Sequence, residues 1–131
     1  MKQDKFLAID FGTNSVGIAL AFGELGVAFP KTCLKRISDL DLSLQIQKIC
    51  TQEDISVVLI GMPSSGEIRK KILGFKKTLE KSLEQKIVLW DEDFTTLMSK
   101  DDTKIQSKEE IDALSATYIL QDFLDSRRSK L

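Results

Sequence analysis

Three apolar runs open the chain: Lys5-Phe6-Leu7-Ala8-Ile9-Asp10, Val16-Gly17-Ile18-Ala19-Leu20-Ala21-Phe22, and a third from Val27 to Leu34. Only short links separate them. Phe11-Gly12-Thr13-Asn14-Ser15 makes the first link, and a stretch holding Gly23 and Gly26 makes the second. Parallel neighbours need a crossover of a dozen or more residues, so runs this close in sequence pair as an antiparallel meander. That constraint defines one half of any sheet the chain can build.

From Ser38 the apolar spacing changes. Ser38 or Asp39 can cap a helix whose inward positions are Leu42, Ile46 and Ile49. Ile55-Ser56-Val57-Val58-Leu59-Ile60-Gly61 is a continuous apolar run of the kind that suits a central strand. After the loop Met62-Pro63-Ser64-Ser65-Gly66, a helix is expected from about Glu67 to Leu83. Ile68, Ile72, Phe75, Leu79 and Leu83 form its buried stripe. Lys86-Ile87-Val88-Leu89-Trp90 is a further strand, running into Asp91-Glu92. A short helix is expected near Thr95 or Thr96, and Asp101 to Ser107 reads as a polar connector. Ser107-Lys108-Glu109-Glu110 has the capping-box pattern and opens a last helix reaching about Arg128. A meander followed by two right-handed crossovers gives an α/β fold. Its mixed five-stranded sheet, three antiparallel strands plus two parallel ones, is flanked by helices. With 131 residues, the chain suits a single domain over residues 1–131.

The chain contains no histidine. That excludes a Ser-His-Asp or Cys-His nucleophile pair, a histidine general base and any His-containing zinc site. Any chemistry would fall to carboxylates, Lys, Ser, Thr or Tyr, and carboxylates with a hard cation such as Mg²⁺ fit that list best. Cys33 and Cys50 have no metal-type spacing and read as two buried thiols of a reduced, cytoplasmic protein. No apolar run approaches the roughly 20 residues needed to span a bilayer, and no signal peptide is evident. The net charge of −1 argues against tight non-specific nucleic-acid binding but leaves room for a local basic face.

Three carboxylates stand out. Asp10 ends a strand of Phe6, Leu7, Ala8 and Ile9, where burial of a charge demands a partner or a function; the plainer reading is a turn cap. Glu92 lies just beyond the Lys86–Trp90 strand. In a sheet with the first, fourth and fifth strands parallel, it would share an edge with Asp10, the edge where α/β sheets gather their ligand sites. Asp112 shares one face of the last helix with Ala116, Ile119 and Phe123, so an acid opens an apolar stripe that packs on the sheet. Ala113, Ser115 and Ala116 allow close approach. The plainer reading is an acid placed favourably at the helix N-terminus, a task Glu109 and Glu110 already serve. Three converging carboxylates repel one another unless a cation is bound, and two Mg²⁺ or Mn²⁺ ions so held can activate water for phosphodiester hydrolysis.

These landmarks resemble a known family. Ile9-Asp10-Phe11-Gly12-Thr13 with Gly17-Ile18-Ala19 is similar to an opening "DxGxxxxGxA" signature. Gly61-Met62-Pro63 is similar to a "GxP" loop, and Asp91-Glu92-Asp93-Phe94-Thr95-Thr96 to a "DERxTT" segment. Ile111-Asp112-Ala113-Leu114-Ser115-Ala116 with Ile119-Leu120-Gln121 is similar to a "DxxAA…IL" helix. In order and nearly end to end, this pattern resembles YqgF, also called RuvX. That is an RNase H-like family of Holliday junction resolvase type, linked to processing of precursor 16S ribosomal RNA. The resemblance implies a nuclease with Asp10, Glu92 and Asp112 as catalytic and metal-binding residues. It implies Mg²⁺ or Mn²⁺ as cofactor and pre-rRNA or branched DNA as partner. Thr13, Asn14, Ser15, Ser64, Ser65, Thr95, Thr96, Lys70 and Lys77 are the candidate substrate contacts.

Departures from the pattern remove cations. Asn14-Ser15 stands where the family carries a basic pair, the loop Pro63-Ser64-Ser65-Gly66 lacks a polar insertion, and Asp93 replaces an arginine. Lys70, Lys77 and Lys81 share a helix face flanked by Arg69, Lys71 and Lys76, which ordinarily reads as a solvated surface. Arg127, Arg128 and Lys130 read as a frayed basic tail. Two alternatives stay open: a non-catalytic ribosome-assembly or partner-binding protein that kept the fold, and a phosphate-binding domain of actin or Hsp70 type, whose loop Asp10–Ser15 resembles. The sequence leaves monomer and homodimer equally open.

Overall fold

The computed structural model describes residues 4–12, 14–23, 25–91 and 108–128, without the side chains of 108–110 and 128. The described elements run β1 (Lys5–Phe11), β2 (Ser15–Phe22), β3 (Val27–Lys35), α1 (Asp39–Glu53), β4 (Val57–Met62), α2 (Glu67–Ser82), β5 (Lys86–Asp91) and α3 (Lys108–Arg128). The sheet order is β3-β2-β1-β4-β5. β1 pairs antiparallel with β2, and β2 with β3, which is the expected meander. β4 runs parallel to both β1 and β5. β1 is thus central, and Phe6 to Ile9 are fully buried along it.

Strand alternation divides the core into two unlike layers. Leu7, Ile9, Phe11, Val16, Ile18 and Leu20 face α1 and α2, meeting Leu42, Ile46, Ile72, Phe75 and Leu79. Phe6, Ala8, Ala19, Ala21 and Leu59 face α3, meeting Ala116, Ile119, Leu120 and Leu124. Each fully buried Leu, Ile or Phe contributes about 1.5–3 kcal/mol of transfer free energy. Large residues fill the α1/α2 layer, whereas alanines pave the sheet under α3. α3 therefore lies close to the strands.

Local signals explain the element ends. Ser38 caps α1, its Oγ accepting from the Asp41 N–H at 3.0 Å. The strand expected from Ile55 begins only at Val57. Asp54 adopts the left-handed conformation (φ 56°) and the Ile55 N–H is still bonded to the Cys50 carbonyl at 2.9 Å, finishing the helix. Pro30, which has no N–H to donate, sits on the edge strand β3 beside a break in register between Ile18 and Ala19.

Two expectations are corrected. Cys50 is buried, but Cys33 is only half-buried. Arg127 is no frayed tail: its guanidinium lies 5.3 Å from the Phe6 ring centroid and 5.6 Å from that of Phe123. The short helix near Thr95 or Thr96, the connector Asp101–Ser107, the Ser107 cap and Lys130 lie outside the described residues.

Candidate active site

Asp10 is the last even-numbered residue of β1, so it follows Phe6 and Ala8 onto the α3 side of the sheet. Its ladder partner on β2 is Gly17. Gly17 in turn lies under the first turns of α3: a Cβ added there would stand 1.9 Å from the Asp112 carbonyl oxygen. Only glycine permits that approach. Asp10 and Asp112 therefore flank the same point, one on the ladder beside Gly17 and one on the helix above it. Both carboxylates are half-buried.

The Asp112 side chain is held from beneath by the meander. Ser15 Oγ donates to Asp112 Oδ2 at 2.5 Å, and Cys33 Sγ lies 3.8 Å from the same oxygen. Ser15 belongs to β2 and Cys33 to β3, where Cys33 pairs with Gly17. The β1–β2 link is closed by the Gly12 N–H donating to the Ser15 carbonyl at 3.0 Å. A Cβ at Gly12 would come within 2.5 Å of that carbonyl oxygen, so the tight link also requires glycine.

A family model described as RuvX, Holliday junction resolvase, matches residues 4–126. The chain belongs to this family. A Thermoanaerobacter pseudethanolicus protein named "Putative pre-16S rRNA nuclease" is 28% identical over 96% of this chain and 99% of its own. A Clostridium botulinum (strain Hall) protein of the same name is 30% identical, over 93% of this chain and 97% of its own. T. thermophilus RuvC, solved with a Holliday junction substrate, superimposes with a TM-score of 0.67 at 10% identity, covering 96% of each chain. The fowlpox virus Holliday junction resolvase gives 0.56 at 12% identity, over 93% of this chain and 99% of its own. The sheet and its helices are thus the RNase H-like fold of the resolvases. RuvX membership takes the place of the actin-type reading of the Asp10–Ser15 loop.

The remaining residues of this RuvX chain divide sharply. Glu92, Thr13, Thr95 and Thr96 lie outside the described residues. Asn14, Ser64 and Ser65 are exposed in the links that follow β1 and β4. Lys70 and Lys77 are exposed on α2, which packs on the sheet face opposite α3, so the fold does not bring them over Asp10 and Asp112. On the same helix Lys76 pairs with Glu80 at 3.1 Å, and Arg69 donates to the Pro63 carbonyl. A cation missed in the sequence stands nearer the β1–β2 link: Arg36 donates its N–H to the Asn14 carbonyl at 3.0 Å and lays its guanidinium 4.5 Å from the Phe11 centroid. Nothing in the spacing of Arg36 betrays this, because β3 must first fold back along β2.

Among the described residues no group of three or more His, Cys, Asp or Glu is placed to hold a metal ion, and Glu92 is not among them. The chemistry of Asp10 and Asp112 suits a hard divalent cation, since both offer carboxylate oxygens from rigid elements. Among the described residues no helix is long and apolar enough to cross a membrane.

Proposed function

We propose that this chain is a nuclease that hydrolyses phosphodiester bonds in structured nucleic acid, acting on the 5′ end of precursor 16S rRNA. Asp10, Asp112 and Glu92 are its metal-binding carboxylates. The observation that carries the reading is the placement of Asp10 and Asp112 on one face of the sheet around Gly17, in a chain of the RuvX family. Glu92 joins them on sequence grounds, being two residues beyond Trp90, which packs on the α3 side. A bound divalent cation would supply a Lewis acid and a water of lowered pKa. The protein's part is geometric: β1 and α3 hold two carboxylates at fixed positions, and the Gly17 contact keeps helix and strand from drifting apart. Asn14, exposed in the neighbouring link, offers a polar side chain to the substrate backbone.

The test is cleavage of a labelled rRNA precursor fragment, with a four-way DNA junction in parallel, under Mg²⁺ or Mn²⁺. Cleavage by wild type, lost in Asp10→Asn, Asp112→Asn and Glu92→Gln, supports the reading and identifies the substrate. A folded wild type that cleaves neither under any metal leaves the partner-binding reading. The position of Lys70 and Lys77 on the far layer favours that second reading, since it leaves the carboxylate face with little positive charge from α2.

A further inference from the structure

We propose that Ser15 is a positioning residue for Asp112, and that Cys33 assists it from the next strand. The inference rests on the proposed cation site and adds to it the device that aims one of its ligands. The torsion that turns an aspartate carboxylate about its Cβ–Cγ bond is soft and broad, so a helix alone does not fix which oxygen faces the sheet. Here two neighbouring strands address the same atom. Ser15 Oγ donates to Oδ2 at 2.5 Å, and Cys33 Sγ lies 3.8 Å from it. Metal-binding carboxylates are commonly oriented by such outer hydrogen bonds.

A hydroxyl carries one proton to donate. Directed at Asp112, that proton is not available to a substrate phosphate, so Ser15 acts through the acid rather than on the substrate. The hydroxyl thus orients the carboxylate through a single directed hydrogen bond.

The experiment measures Mn²⁺ affinity by calorimetry on the full chain, beside the melting temperature in chelator. Ser15→Ala is expected to bind Mn²⁺ about 10–100-fold more weakly. Ser15→Thr keeps the hydroxyl and is expected to bind as wild type, while its isostere Ser15→Val binds as weakly as Ser15→Ala. The Thr and Val variants keep the test readable if Ser15→Ala folds poorly, and equal melting in chelator separates aiming from mere folding. If Ser15→Ala and Ser15→Val match wild type while Asp112→Asn binds no Mn²⁺, the positioning role is overturned and the cation site stands. If Asp112→Asn binds like wild type, or wild type binds no Mn²⁺, the site falls and this inference with it.

Discussion

Gly17 on β2 and Asp112 on α3 are packed backbone to backbone, with room for no side-chain carbon between them. A Cβ at Gly17 would stand 1.9 Å from the Asp112 carbonyl oxygen and 2.4 Å from its carbonyl carbon. The obstacle is main chain, which cannot rotate away as a side chain could. This one contact sets the height of α3 above the sheet, and so the height of the Asp112 carboxylate above Asp10.

Gly17→Ala is therefore expected to lose about 3 kcal/mol or more, the upper range for overpacking, because a helix has to move. Urea unfolding followed by the fluorescence of Trp90, the chain's one tryptophan, measures it. A midpoint equal to wild type would mean that the α3 backbone does not rest on Gly17.

Phe75 lies fully buried between α2 and the sheet, with its ring centroid 5.3 Å from that of Phe11. Phe75→Ala is expected to cost about 3–5 kcal/mol by the same unfolding assay. Loss of under about 1 kcal/mol would contradict a close-packed α1/α2 layer.

Burial pushes the Cys50 thiol up from 9.0 to about 11. The folded state then holds its proton more tightly than the unfolded chain. The associated stability is whole below pH 9 and is lost as pH rises towards 11. The loss is about 2–3 kcal/mol. Cys50→Val should show less alkaline destabilisation than wild type across that window. Half-buried Cys33 should also react with a thiol reagent before Cys50 does, and the reverse order would refute the burial assignment.

Cation binding should stabilise the folded chain. At 100 times its dissociation constant, Mn²⁺ is expected to add about 2.7 kcal/mol, reversed by chelator and absent in Asp10→Asn and Asp112→Asn. Equal stabilisation of both variants in a thermal melt would place the ion elsewhere.

The meander, the strand and helix order, the Ser38 cap and the α2 stripe were legible in the sequence because each depends on local spacing. Short links force antiparallel pairing, and a period of three to four marks a buried helix face. Asp10, Glu92 and Asp112 could be singled out for the same reason, as acids at the ends of apolar patterns. The proximity of Asp10 and Asp112 around Gly17 belongs to the tertiary structure, since it needs α3 to cross strands almost a hundred residues away in sequence. So does Cys33. Ala28 and Cys33 have opposite parity yet both lie on the α3 side, because the register of β3 shifts opposite Ile18 and Ala19. Simple alternation counted from Val27 would have turned that thiol away from Asp112. The hydrogen bond from the Ser15 hydroxyl to Asp112, 97 positions away, likewise belongs to the tertiary structure. Lys70 and Lys77 lie on the far layer because α2 covers the opposite sheet face. Local spacing is written in the chain, but which faces meet is decided only when the two layers pack.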